Sequence, residues 1–193
     1  MGLWVSKMSQ LHNIDRPEGK YTELELDEMM VFCILDTAIS YEKCCEAFDA
    51  LKKDGLTTRR ALSLSSPDSV KNILKSVGYR WANQKAKYLT EFGRNNIDLM
   101  SATRKEIVGN VKGVGMKLAS MFLRNTRGEK YAVLDRHTLR YVDIMAMKIL
   151  RKHGPLKTYE EKEKFFIELA EAQGKTVAEL DMEIWQRERV GNK

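Results

Sequence analysis

Four threonines that directly precede an apolar helical pattern each stand three residues before a glutamate, and this spacing constrains the fold more than any other feature. They are Thr22, Thr103, Thr158 and Thr176. In such a capping box the threonine and glutamate side chains bond each other's backbone N–H groups, so each pair predicts the start of a helix. Apolar residues recur at helical spacing, and no stretch alternates convincingly at period two. The sequence therefore predicts an all-α fold of about eight to ten short helices.

The boundaries of the other helices follow from caps and breakers. Ser66-Pro67 supplies an N-cap and a first-turn proline, Gly78-Tyr79-Arg80 is predicted to be a turn, and His153-Gly154-Pro155 stops a helix. Predicted helices cover about Leu26–Ile34, Tyr41–Lys52, Pro67–Val77, Trp81–Asn95, Met116–Arg124 and Arg136–Lys152. We expect two helical subdomains with a cleft between them, with the early helices on one side and those around residue 113 on the other.

Composition favours an intracellular protein with an acidic partner. Lys and Arg outnumber Asp and Glu by 33 to 27, which gives a net charge of +6 and suits a polyanion. Cys33, Cys44 and Cys45 fit neither a disulfide framework nor a CxxC metal pair, so we expect small, reduced, packed side chains. No signal peptide or membrane-spanning run is visible. We expect an intracellular monomer, in the cytoplasm or nucleoid, with no membrane partner.

Gly113 and Gly115 form a tight turn between two helical patterns, in the run VKGVGMK at 111–117. Glycine lets the backbone turn tightly and come close to a ligand. The next helix would then present its N–H groups and its positive dipole end to a phosphate. An ordinary helix–turn–helix connection has the same pattern, so the spacing alone leaves both interpretations open. The neighbouring Lys105, Lys112 and Lys117 favour phosphate binding.

Lys117 and Asp135 are the candidate reactive groups. A lysine at the start of a helix can serve as a nucleophile because the positive potential there favours loss of its proton, although most lysines are simply solvated charges. Asp135 precedes a predicted helix, so its simplest role is that of the N-cap. A carboxylate held rigidly in this way can also stabilise a developing cation, so the two roles are compatible.

These residues carry a family resemblance. The run 111–120, followed by Ala132–His137, resembles the signature of the helix-hairpin-helix DNA glycosylases, which consists of a hairpin, a loop and a catalytic aspartate. In that superfamily a lysine two residues after the second hairpin glycine marks bifunctional glycosylase/AP lyases, and Lys117 stands there. Further matches are Phe32–Leu35, Gly78–Tyr88 and Asp181–Trp185, and the sequence ends on Lys193.

Two absences narrow the resemblance. No four-cysteine cluster follows Asp135, so no iron–sulfur cluster is expected, and no β-rich N-terminal domain is present. The chain is most similar to the compact type-2 8-oxoguanine DNA glycosylases, typical of archaea and thermophilic bacteria. We therefore treat 1–193 as one glycosylase unit. It has an N-terminal arm at about 1–21, a hairpin and catalytic segment at about 103–137, and a base-recognition segment at about 176–193.

The resemblance implies excision of 8-oxoguanine from double-stranded DNA, followed by strand cleavage. Lys117 would attack C1′ of the flipped nucleotide to form an imine, β-elimination would nick the strand, and Asp135 would stabilise positive charge at the sugar. A structural Na⁺ or K⁺ at the hairpin backbone is compatible with the resemblance, and no other cofactor is expected. The residues implied to bind DNA phosphates are Gly113, Gly115, Lys112 and His137.

The resemblance also implies base recognition. Trp185 would stack on the flipped purine, and the Lys193 carboxylate would accept a hydrogen bond from its N7–H. Tyr79 and Arg80 would fill the gap in the duplex or contact the opposite cytosine. Structural roles remain open for Trp185 as a core anchor, for Tyr79 as a turn residue and for His137. Where the family often carries an Asn or Gln wedge, the run 36–39 offers no amide.

Two other functions remain open from the sequence. An enzyme of the same fold could remove oxidised pyrimidines instead of 8-oxoguanine. A non-catalytic helix-hairpin-helix module would bind DNA through phosphates alone, with salt-dependent affinity and no covalent adduct. The spacing of Lys117 and its pairing with Asp135 favour an enzyme over the module.

Overall fold

The structure, a computed structural model, describes residues 21–149 and 155–191. Within these residues every regular element is an α-helix, which confirms the predicted all-α fold. The helices are α1 (Glu23–Leu35), α2 (Tyr41–Lys53), α3 (Arg59–Leu64), α4 (Pro67–Ser76), α5 (Ala82–Gly93), α6 (Arg104–Asn110), α7 (Met116–Arg127), α8 (Arg136–Ile149), α9 (Tyr159–Ala172) and α10 (Val177–Gly191).

The helix starts confirm the capping boxes. Thr22, Thr103, Thr158 and Thr176 each accept the N–H of the glutamate three residues on, and that glutamate accepts the threonine's own N–H. Helix α3 is the element that the prediction missed. Its N-cap, Thr58, has an alanine rather than a glutamate at the third helical position, so the box signal is absent.

One compact unit of the chain ends at Arg127. Helix α1 is buried along almost its whole length, from Leu26 to Leu35, and α2, α5 and α7 pack against it. The run 29–35 of α1 is apolar throughout and belongs in a core, and it places Phe32 edge-on against Phe48, with ring centroids 5.9 Å apart. Helices α3 and α4 pack on α5, and α6 pairs with α7.

The second unit begins at Gly128 and contains α8, α9 and α10, which pack on one another. Its core is built mainly from Leu134, Val142, Phe166, Leu180 and Ile184. The division differs from the predicted one, because the glycine hairpin belongs with the early helices. The physical reason is that α7, which follows the hairpin, buries its apolar face against α1.

The cysteines and the apolar segments have ordinary structural roles. All three cysteines are free thiols, with Cys33 and Cys44 fully buried and Cys45 partly exposed. Burial raises the pKa of the Cys33 and Cys44 thiols, so both stay protonated near neutral pH. Across the described ranges, no helix is long and apolar enough to cross a membrane.

Candidate active site

The hairpin between α6 and α7 depends on Gly113. The N–H of Val114 donates to the carbonyl of Val111 at 3.1 Å and closes the turn. Gly113 has a φ of +84°, and a Cβ atom there would lie 2.4 Å from the ring of Tyr88. An L-residue with a side chain is strained at this φ, and the ring leaves no space for one. Gly113 is therefore required by the hairpin's own geometry.

Gly115 is different, because a Cβ atom there would meet nothing within 4 Å. Its carbonyl accepts the N–H of Ala119 at 3.0 Å, so it stands at the N-cap position of α7. Having no side chain, Gly115 cannot cap the N–H groups of the first helical turn, and these remain suited to an anion. The hairpin residues 108–115 and Glu91 line an open depression of about 700 Å³ at this point.

Lys112 is an exposed side chain on the hairpin. Its ammonium lies 3.4 Å from Glu91 Oε2 and 5.8 Å from the centre of the Tyr88 ring. An exposed pair of this kind contributes little to stability. Breaking the ion pair with Glu91 costs little free energy, so Lys112 is available to bind a phosphate instead.

Lys117 occupies the first turn of α7, as predicted, and forms an ion pair that the sequence did not predict. Its Nζ lies 2.7 Å from Oδ2 of Asp36, the C-cap residue of α1. Both side chains are partly buried, with exposed fractions of 32% for Lys117 and 21% for Asp36. The pairing joins residues 81 positions apart and fixes the amine at the packed junction of α1 and α7.

Asp135 caps α8 in the second unit. Its Oδ1 accepts the N–H groups of His137 and Thr138, both at 2.8 Å, and its carbonyl accepts the N–H of Leu139. Within the described ranges no hydrogen bond to Oδ2 is found. The two bonds to Oδ1 thus hold the side chain in place. This confirms the N-cap role and leaves the electrostatic role possible.

The segment before Asp135 is held by α9. The Tyr159 hydroxyl donates to the carbonyl of Ala132 at 2.9 Å and accepts the N–H of Leu134 at 3.3 Å. The buried carboxylate of Glu163 accepts the N–H of Ala132 at 3.1 Å. Irregular backbone that is buried must find such partners, and here they come from one face of a single helix. Neither role was predicted from the sequence.

Tyr79 is buried, contrary to the role predicted for it. Only 3% of its surface is exposed, and its hydroxyl donates to the carbonyl of Leu35 in the core of the first unit. A side chain buried in this way cannot enter the duplex, so the predicted DNA contact of Tyr79 is wrong. Its neighbour Arg80 is exposed and lies 4.5 Å from the Trp81 ring centre.

The remaining predicted site residues lie in the second unit. His137 is partly buried in the first turn of α8, and Trp185 is partly exposed on α10, next to the buried Ile184. Lys193 lies outside the described residues. The DNA-binding roles of all three stay predictions.

Lys85 is a further residue that sequence reasoning missed. It is 2% exposed, and its Nζ donates to Thr37 Oγ1 at 2.9 Å. Burial lowers the pKa of its ammonium to about 8. Asp36 could have been singled out in the sequence, because it is the charged residue that ends the apolar run of α1. The cation that pairs with Asp36 could not have been, because the pairing depends on the tertiary fold.

No group of three or more His, Cys, Asp or Glu residues able to hold a metal ion occurs in the part of the chain that the structure describes. An ion at the hairpin would have to be held by backbone carbonyls, which are hard oxygen ligands of the kind that alkali cations take.

These features define a class, namely a helical protein with a glycine hairpin, a lysine in the first turn of the next helix and a capping aspartate beyond it. Comparison with known proteins narrows the class. Residues 8–175 match the family model described as 8-oxoguanine DNA glycosylase. The 8-oxoguanine DNA glycosylase/AP lyase of Metallosphaera sedula is 34% identical over 81% of this chain and 78% of the relative. The chain belongs to the 8-oxoguanine DNA glycosylase family, as the sequence resemblance predicted.

Solved structures agree with this assignment. The 8-oxoguanine DNA glycosylase of Thermotoga maritima superposes with a TM-score of 0.72 at 25% identity, covering 94% of this chain and 92% of the other. The Methanocaldococcus jannaschii 8-oxoguanine glycosylase/lyase, solved with a 15mer DNA containing 8-oxoguanine, gives a TM-score of 0.65 at 22% identity, covering 94% and 87%. At 22% identity the comparison with the Methanocaldococcus jannaschii structure shows a similar fold and nothing more.

Proposed function

We propose that this chain is a bifunctional enzyme that excises 8-oxoguanine from duplex DNA and then cleaves the strand at the resulting abasic site. The observation that carries the proposal is the position of Lys117. It lies in the first turn of the helix after a glycine hairpin, in a chain of the 8-oxoguanine DNA glycosylase family. Relatives named as glycosylase/AP lyases support both activities.

Lys117 supplies the nucleophile. After Nζ loses a proton, its lone pair attacks C1′ of the flipped nucleotide, the N-glycosidic bond breaks and the base leaves with that electron pair and a proton. The sugar ring opens to an imine between C1′ and Nζ. Loss of a proton from C2′ then breaks the C3′–O bond and releases the 3′ phosphate, which nicks the strand. Water hydrolyses the imine and restores the lysine.

Asp135 stabilises the positive charge that develops at the sugar. Its Oδ1 is fixed by two N–H groups of α8, so the carboxylate does not need to reorganise as charge appears. Tyr159 and Glu163 hold the backbone that carries it. This preorganisation supports an electrostatic role beyond capping.

The hairpin binds the phosphates beside the lesion. The first-turn N–H groups of α7, the open space at Gly115 and the exposed Lys112 support this role. Carbonyl oxygens within 111–115 could also hold Na⁺ or K⁺, which would add positive charge next to a phosphate. His137, with a partly buried side chain in the first turn of α8, contributes a further phosphate contact.

Base recognition is assigned to the second unit and to Arg80. Trp185 stacks on the flipped purine, and Lys193 contacts the same base. Arg80 contacts the opposite cytosine, supported by its exposure. We propose that a single copy is sufficient, because one chain supplies the hairpin, Lys117 and Asp135.

A panel of duplexes tests the proposal. Each duplex carries one site: 8-oxoguanine opposite cytosine, an oxidised pyrimidine, a preformed abasic site or an undamaged guanine. We expect release of 8-oxoguanine and cleavage at the abasic site, with no release of the pyrimidine. Preferred release of the pyrimidine would show instead that oxidised pyrimidines are the substrate. Salt-dependent binding without cleavage of any duplex would show that the chain is a non-catalytic DNA-binding module.

A further inference from the structure

The ion pair between Lys117 and Asp36 has no role in the mechanism above. A nucleophilic lysine must present a lone pair, yet the carboxylate 2.7 Å from Nζ stabilises the protonated form. The N-terminus of α7 acts in the opposite direction, because its dipole disfavours the ammonium. The carboxylate of Asp36 thus opposes the effect of the α7 dipole on the protonation of Lys117.

The position of Asp36 is not explained by helix α1. It stands at the C-terminal end, where the helix dipole is negative and a carboxylate is unfavourable. Its backbone N–H closes the helix by donating to the carbonyl of Phe32 at 3.0 Å, and any residue except proline could do this. The cation beside it is what favours a carboxylate at this position.

The loop that carries Asp36 is well held. The Thr37 N–H donates to the carbonyl of Leu35 at 2.8 Å, and the Thr37 hydroxyl accepts from the buried Lys85 at 2.9 Å. The indole N–H of Trp81 donates to the carbonyl of Ala38 at 3.3 Å. Asp36 therefore presents its carboxylate to Lys117 from a fixed backbone, as a positioning residue should.

We propose that Asp36 is a positioning residue that holds Lys117 as an ammonium in the free enzyme and must release the amine before it attacks. The inference rests on the proposed function. Before the attack, the ion pair opens, one N–H bond of Nζ breaks and the proton passes to water. The freed lone pair then forms the bond to C1′.

The other titratable groups near the pair do not change charge in the same pH range. Burial, more than any other cause, raises the pKa of three of them, so these groups remain neutral across the working pH range. They are Cys33 on α1, Cys44 on α2 and Tyr79 before α5. Arg104 of α6 donates to Ser120 on α7 at 3.1 Å, and its guanidinium has no lone pair with which to accept a hydrogen bond.

Lys85 on α5 is the group that could imitate the effect, because burial lowers the pKa of its ammonium to about 8. The variant Lys85→Met separates the two possibilities. A pH-dependent rise that belongs to Lys117 and Asp36 persists in Lys85→Met, whereas a rise that belongs to Lys85 disappears. Its disappearance would overturn the proposal.

The test measures imine formation alone. A duplex with a preformed abasic site is mixed with excess enzyme and borohydride, and the rate of covalent trapping is followed from about pH 6 to 9.5. In Asp36→Asn we expect the rise in rate to move about one pH unit lower, which makes trapping roughly tenfold faster at pH 7. Asp36→Glu should retain the wild-type profile.

The matched control is Asp68→Asn, which removes the exposed partner of Lys71 on α4 and should leave the profile unchanged. An Asp36→Asn profile that is parallel to wild type, scaled by one factor at every pH, would show a structural role only. Asp36→Ser is a second carboxylate-free variant, and failure of both to fold would also overturn the proposal. If wild type itself forms no trapped complex, the lyase function fails, whatever the role of Asp36.

Discussion

At the scale of single residues, the two hairpin glycines meet different demands. Gly113 is required by a φ of +84° and by the Tyr88 ring against which it packs. Gly115 has open space around it, so the packing of the chain does not require a glycine there. A ligand that approaches the backbone closely, such as a DNA phosphate, would require it.

Alanine substitutions separate these demands. Gly113→Ala combines a left-handed φ with a steric clash, and we expect a loss of roughly 2–4 kcal/mol in the free energy of unfolding. Gly115→Ala should change that free energy by less than about 1 kcal/mol, while weakening DNA binding on the order of tenfold. Urea unfolding and fluorescence anisotropy on a labelled duplex measure the two quantities. Equal DNA affinity for Gly115→Ala and wild type would exclude a phosphate at that position.

At the scale of helices, most of the fold could be predicted. Capping boxes are local, so a threonine and glutamate three residues apart mark a helix start without reference to the rest of the chain. Helix α3 was missed because Thr58 lacks such a partner. The Asp36–Lys117 pair could not be predicted, because its members are 81 residues apart and meet only when α1 packs on α7.

Lys85 connects α5 to the loop after α1 and gives a prediction for stability. Its pKa is lowered by burial from 10.5 to about 8, so the unfolded chain binds more protons between these pH values. The contribution of Lys85 is unfavourable in full below pH 8, and the penalty disappears as the pH rises to 10.5. Relative to Lys85→Met, wild type should gain roughly 3 kcal/mol across that window.

The comparison with Lys85→Met is needed because the buried thiols act in the opposite direction. Cys33 and Cys44 stay protonated in the fold while the unfolded chain ionises, so they reduce stability as the pH rises. The difference between the two proteins cancels that effect. Urea unfolding at closely spaced pH values measures it, and a difference that does not change with pH would mean that Lys85 has an ordinary pKa.

At the scale of the whole molecule, the candidate residues are divided between the two units. The hairpin and Lys117 belong to the unit that ends at Arg127, and Asp135 belongs to the unit that begins at Gly128. The sequence indicated both groups through their spacing. It placed the boundary before the hairpin, because a linear pattern does not reveal that α7 packs on α1. The family resemblance also assigned Tyr79 to DNA, and the burial of its side chain contradicts that role.

Borohydride trapping on a duplex with 8-oxoguanine opposite cytosine tests the central claim most directly. Wild type should form a covalent protein–DNA complex whose cross-linked peptide contains Lys117. Lys117→Gln should form none while still binding the duplex, and Lys75→Gln, an exposed lysine on α4, should trap as wild type does. A complex of wild-type yield with Lys117→Gln, or its absence in wild type, would contradict the assignment of Lys117 as the nucleophile.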